Sequence, residues 1–414
     1  MQKTIILYLA FISSIFSAHT QEIAPPEYIK TIQFKGNSEF SGTPIIQLGT
    51  PLLITFDDIN GDEADYYYKI RHCNFDWTPS ILNKNEYLDG FDDIRINDYE
   101  NSFNTLQTYS HYFLRIPNED TKALKVSGNY IIEIYNEDEE LVFSRKLIVY
   151  ENTSTVKVYT KRSRDLDFIN TKQSVQFEIT PHNPPLRNPK KTVKTLVIQN
   201  NDIKNSISNL TPQFTIGNSL IYKYDQEASF WGSNEFLFFD NKEVRTSTVN
   251  IQKSDLEDIY HNYLYNDRVR AAKNYTRNPD INGGFVIRNL RANNHDIEAD
   301  YVWMHFTLEC YEPIGDGNIH IYGSFNNFKI DNSTLMKYDK NTGMYHNTSL
   351  FKQGFYNYKY ILVLPDNTID YGFISGNFDE TENEYTVIAY YRAPGARYDR
   401  AIGKGTGNSS TITN

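Results

Sequence analysis

The sequence is poor in the residues that build cysteine and metal chemistry. Among 414 residues there are two cysteines, nine histidines, four methionines and three tryptophans. Two thiols exclude a disulfide-dense scaffold and any four-cysteine zinc site. Positive charge is also in deficit, with 41 Lys and Arg against 52 Asp and Glu, a net charge of −11. That balance argues against a general nucleic-acid binder, which needs a basic face to displace counterions from phosphates. Beyond the first twenty residues no apolar run is long enough to cross a membrane. What is plentiful is aromatic: 32 Tyr and 25 Phe are too many for a disordered chain and favour strands over helices.

Residues 1–20 have the layout of a secretory signal peptide. Lys3 gives a positive start, residues 4–16 an apolar stretch, and Ser17-Ala18 small residues ahead of a cleavage point before Gln21. The mature chain is expected to be exported and soluble, with no membrane span of its own. Cys73 and Cys310 stand far apart and in different modules, and read as separately buried thiols rather than a bridge.

Period-two alternation recurs along the mature chain. Tyr130, Ile132 and Ile134 share one face, residues 136–140 make a polar turn, and Phe143, Leu147 and Val149 share a face of the returning run. This closes a first β-sandwich over residues 21–151. Runs at 156–158, 175–179, 195–198, 220–224 and 236–239, punctuated by Pro181, Pro184 and Pro185, predict a second sandwich over 152–253. Residues 254–295 read as an irregular connector with strand content. Val302, Met304, Phe306 and Leu308 then open a third, early-set-like sandwich over 296–402, and the Gly-, Ser- and Thr-rich tail 403–414 reads as disordered. The fold class predicted is all-β, tandem immunoglobulin-like or early-set β-sandwich modules.

Catalytic motifs are missing. The sequence has no HExxH, no Walker A, no GxSxG and no GxGxxG opening a helix. His72 and Cys73 are neighbours on a strand and point to opposite faces, so they cannot act as a thiol–base pair. The acidic stretch 57–63 lacks the EF-hand layout and reads as a solvated turn. No catalytic residue, metal ligand or cofactor site is predicted, and the chain is expected not to be an enzyme.

Gly323-Ser324-Phe325-Asn326-Asn327-Phe328, followed by Tyr356-Asn357-Tyr358-Lys359-Tyr360, resembles the early-set sandwiches that bind glycogen or starch. Those modules stack sugar rings on flat Trp faces. Here Phe328 stands at the Trp position and no Trp follows Trp303, so the fold resembles theirs better than the sugar site does. An exported glycan-binding protein using this last sandwich is the alternative function.

A second resemblance spans the chain. His72-Cys73-Asn74-Phe75-Asp76-Trp77-Thr78-Pro79 with Glu86-Tyr87-Leu88-Asp89-Gly90-Phe91 is its first block. Phe230-Trp231-Gly232-Ser233-Asn234-Glu235 and Asp280-Ile281-Asn282-Gly283-Gly284-Phe285 follow. Ala299-Asp300-Tyr301-Val302-Trp303, Lys352-Gln353-Gly354-Phe355-Tyr356 and Arg397-Tyr398-Asp399-Arg400 complete it. Together they resemble the plug protein family of the type IX secretion system. The resemblance implies a non-enzymatic plug, located in the periplasm at the inner face of the outer membrane. It would bind and seal the periplasmic opening of that system's very large outer-membrane β-barrel translocon when no cargo passes, and be monomeric apart from that complex. The partner-binding residues expected are Trp77, Tyr87 and Phe91, on a loop where aromatic side chains interrupt polar ones. Closure of the bottom of the first sandwich is the alternative role for the same rings.

Overall fold

The computed structural model describes residues 22–35 and 44–412, so the signal-peptide segment 1–20 lies outside the described residues. Three two-layered β-sandwiches follow. In the first, one sheet runs in the order Ile29–Lys35, Leu52–Asp58, Ser110–Ile116, Tyr99–Asn101. The other runs Ile45–Gln47, Leu141–Tyr150, Gly128–Asn136, Tyr66–Cys73, Ile94–Arg95. The predicted closing hairpin is present, with Tyr130 opposite Leu147 and Ile134 opposite Phe143.

In the first sandwich the Tyr-rich core is tolerated because buried hydroxyls find acceptors. Tyr66 donates to Asp58 at 2.7 Å, Tyr112 to the Ala64 carbonyl at 2.7 Å and Tyr130 to the Val126 carbonyl at 2.7 Å. The Tyr66 ring packs edge-on and the Tyr112 ring stacked against Phe56. Each large side chain taken fully out of water stabilises the fold by roughly 1.5–3 kcal/mol.

The second sandwich differs from the expected 152–253. Its first sheet holds Ser154–Arg162, Lys172–Pro181, Ser219–Tyr222 and Phe214–Ile216, with Ser229–Trp231 also pairing the second strand. Its other sheet runs Asp202–Ser208, Val193–Gln199, Glu384–Tyr391, Arg400–Asn408. Two of its strands therefore come from the end of the chain, and the third sandwich is inserted between its halves. The tail expected to be disordered forms the last strand through Asn408 and a short 3₁₀ turn, Ser409–Thr411. It is held because the amides of Glu151 and Thr153 donate to the carbonyls of Ala401 and Ile402.

The third sandwich begins before residue 254, so the predicted connector is a correction too. Ile251–Leu256 and Tyr260–Leu264 join Tyr301–Glu309, Met344–Lys352 and Lys337–Asp339 in one sheet, and Phe285–Ile287 pairs with Gly354–Val363 in the other. Tyr260–Leu264 lies parallel to Tyr301–Glu309. Alternation there is broken by polar residues that hydrogen-bond inward. Asn262, fully buried, donates to the Val244 carbonyl at 3.1 Å.

Candidate interaction surface and module junctions

The modules are locked to one another through buried polar groups. At the junction of the first and third, Asp57 is fully buried. It contacts His111 Nδ1 at 2.5 Å, and accepts from Tyr301 Oη at 2.5 Å and Lys352 Nζ at 2.7 Å. Burial pushes the Asp57 carboxyl up, but the charges of Lys352 and His111 outweigh it and hold the group below its ordinary value. Lys352 is only 1% exposed; it also donates to the Asp296 carbonyl and lies 4.0 Å from the centre of the Tyr109 ring. Asp300 receives the amides of Leu106 and Gln107 at 2.8 and 3.1 Å. The expected solvated turn at 57–63 is thus corrected: strand Leu52–Asp58 carries Asp57 and Asp58 inside, and only the stretch from Asn60 to Glu63 is exposed.

Between the first and second modules, Phe75 packs edge-on to Tyr390 at 4.9 Å, and its amide donates to Asp399 at 3.0 Å. Arg392 bridges Asp399 and the Asn74 side chain at 2.9 and 2.6 Å, and Arg400 pairs with Glu151. Between the second and third, Tyr322 donates to Asp202, and Lys204 reaches the Phe328 carbonyl at 2.9 Å. Phe328 itself is buried against Tyr322 rather than exposed for a sugar, and Phe325 packs on Phe351.

The loop that carries the predicted contact residues splits them. After Cys73 the chain turns tightly, the Asn74 amide bonding the Thr78 carbonyl and the Trp77 amide the Asn74 carbonyl, with Trp77 at φ +64°. Trp77 is half-buried, under the Lys146 ammonium at 4.7 Å. Tyr87 is in the core: its hydroxyl donates to the Ile70 carbonyl at 3.2 Å and its ring stacks on His72. It cannot meet a partner without local unfolding, so for Tyr87 the structure corrects the expected contact in favour of closing the sandwich. Phe91 is 74% exposed. Ile81, which sequence reasoning passed over, is 70% exposed; an aliphatic residue between Ser80 and Leu82 gave no period to mark which of the pair faces out.

His72 and Cys73 face apart as expected. The imidazole is buried, with Nδ1 2.8 Å from Ser80 Oγ and Nε2 3.3 Å from the Ser127 carbonyl. Cys73 and Cys310 are both buried and unbridged. No group of three or more His, Cys, Asp or Glu among the described residues is arranged to hold a metal ion. Burial pulls the His72 pKa down to about 4. The unfolded chain then binds more protons than the native one between about pH 6.5 and 4. The neutral ring's contribution is full above that window and lost as pH falls through it. We expect urea-unfolding stability to drop by about 3 kcal/mol more in the wild type than in His72→Gln over this range.

The sequence model for the first domain of the type IX secretion system plug protein matches residues 29–151, the extent of the first sandwich. The crystal structure of a hypothetical protein from Parabacteroides merdae is similar throughout: 34% identical, covering 94% of this chain and 98% of that chain, with a TM-score of 0.89. Extracellular domains 3–5 of Drosophila OTK align over 94% of this chain and 98% of that one at 10% identity, with a TM-score of 0.16. No curated protein matches the chain. The family is one of secretion components and not a known enzyme family, and no described helix is long and apolar enough to cross a membrane. The chain belongs to the plug protein family of the type IX secretion system.

Proposed function

We propose that the chain is a non-enzymatic periplasmic plug. It binds the periplasmic opening of the type IX outer-membrane translocon barrel and seals it when no cargo passes. The observation that carries this reading, beside the family, is mechanical. Three sandwiches are cross-braced by buried groups such as Asp57 with Lys352 and Asp399 with the Phe75 amide, so the body resists bending at its joints. A stopper across a wide pore needs that stiffness, whereas freely hinged modules would leak. The seal must also release, which suits a wet interface of moderate affinity over an obligate apolar one. The protein works as a monomer outside that complex, at the inner face of the outer membrane.

On this reading Phe91 and Ile81, both exposed and separated by the helical turn Lys84–Tyr87 and the strand Leu88–Gly90, contribute to the contact. Replacing Phe91 and Ile81 together by Asp is expected to cut co-purification with the barrel from detergent-solubilised envelopes by about ten- to thirtyfold. Surface changes of this kind leave folding stability within about 0.5 kcal/mol. Unchanged capture by a correctly folded double variant removes these two residues from the interface. A wild-type chain that brings down no large outer-membrane barrel at all contradicts the plug itself.

A further inference from the structure

The strand Leu141–Tyr150 turns Phe143, Leu147 and Val149 to the core, each at most 1% exposed. The position of the same register between Phe143 and Leu147 is Arg145. Its side chain is 7% exposed. Nη1 donates to the Ser144 carbonyl at 2.9 Å, and the guanidinium lies 5.6 Å from the centre of the Phe143 ring. Among the described residues no carboxylate forms an ion pair with it. An Arg has five N–H donors, and burying its charge without a counter-ion is costly. Burial accordingly lowers its pKa, with only the Glu22 charge opposing.

Arg145 lines a recess of about 340 Å³ between the first and third modules, with Glu27, Lys30 and Ile32 on one wall and Asn326, Lys329 and Asp331 on the other. Lys30 is lowered by burial as well, and Lys329 pairs with Asp331. The recess shares Glu27, Lys30, Thr31, Phe325, Asn326 and Ser333 with a neighbouring cleft of about 640 Å³, which Trp303, Leu350 and Phe351 also line. A buried cation and an aromatic wall thus belong to one continuous groove, in a protein of net charge −11.

We propose that this groove takes an extended polypeptide segment bearing an acidic side chain. The carboxylate pairs with Arg145, and a neighbouring aromatic or aliphatic side chain packs against Trp303 and Phe325. An uncharged glycan leaves the guanidinium without its counter-ion. A free phosphate fills the recess alone and leaves the aromatic wall unused. An acidic peptide uses both, and charge-assisted bonds to Arg are the strong ones. The inference stands apart from the plug reading, since its test uses the isolated chain and its failure leaves that reading as it was.

The test titrates the mature protein with Ac-Ser-Phe-Glu-Phe-Ser-NH2 and with its Gln counterpart by calorimetry. The Glu peptide is expected to bind saturably, the Gln peptide at least about tenfold more weakly. Arg145→Met should abolish the difference without lowering the melting temperature, because a buried ion without a partner is replaced by a packed side chain. Lys30→Ala should weaken the Glu peptide several-fold and serves as the test if Arg145→Met fails to fold. Equal binding of the two peptides, no binding below about 1 mM, full displacement by equimolar inorganic phosphate, or unchanged affinity in Lys30→Ala each overturns the proposal.

Discussion

Asp57→Ala is expected to destabilise the chain by about 3–5 kcal/mol, the largest loss from any single side chain considered. The substitution removes the carboxylate paired with the buried Lys352 ammonium and strips an acceptor from His111 and Tyr301. An ammonium 1% exposed cannot recover water where it sits, so its desolvation is no longer offset. The double variant Asp57→Ala, Lys352→Met removes the orphaned charge and should regain part of the loss, and Lys352→Met alone should cost less than Asp57→Ala because His111 still faces the carboxylate. Urea unfolding of the four proteins checks this. A loss below about 1 kcal/mol in Asp57→Ala shows that the first and third modules are not braced through this pair.

The second large effect lies in the tail. Gly403, Gly405 and Gly407 alternate along the final strand and face Ser154–Arg162 across the second sandwich. A Cβ at Gly403 would stand 2.6 Å from the Ser154 carbonyl oxygen, and one at Gly405 would press into the Val156 carbonyl. Backbone cannot swing aside as a flexible side chain can, so Gly405→Ala should destabilise by about 3 kcal/mol. Thr406→Ala, at an exposed position of the same strand, should stay within about 0.5 kcal/mol. Deleting residues 400–414 removes the strand altogether, and the second sandwich is expected not to fold. Equal stability of Gly405→Ala and Thr406→Ala means that the tail is not packed.

These two places also mark how far the sequence can be read. Alternation located most strands, because the face a side chain takes is fixed by the pleat. It does not say which strand is the neighbour. Tyr385, Val387 and Ala389 read the same whether they belong to the third sandwich or return to the second, where they pair with Val193–Gln199. The insertion was therefore hidden. Composition misled at the tail: Gly and Thr suggested nothing to bury, although glycine at every second position is itself the mark of a close backbone approach. The acidic stretch misled in the same way, since Asp57 gains its counter-ion from a residue 295 positions away. At the candidate surface, Phe91 was legible as an aromatic among polar neighbours. Tyr87 was not separable from it, because only the fold shows that its hydroxyl turns in to Ile70.

The central claim, that this chain closes a pore, is tested most directly by envelope permeability. In the native host, deleting the gene while leaving the translocon in place should make the outer membrane leak small hydrophilic dyes and antibiotics that are normally excluded. Wild-type protein supplied in trans should restore the barrier, and the Phe91 and Ile81 double variant should not. An envelope that stays tight without this chain, with the barrel present and open, contradicts the account.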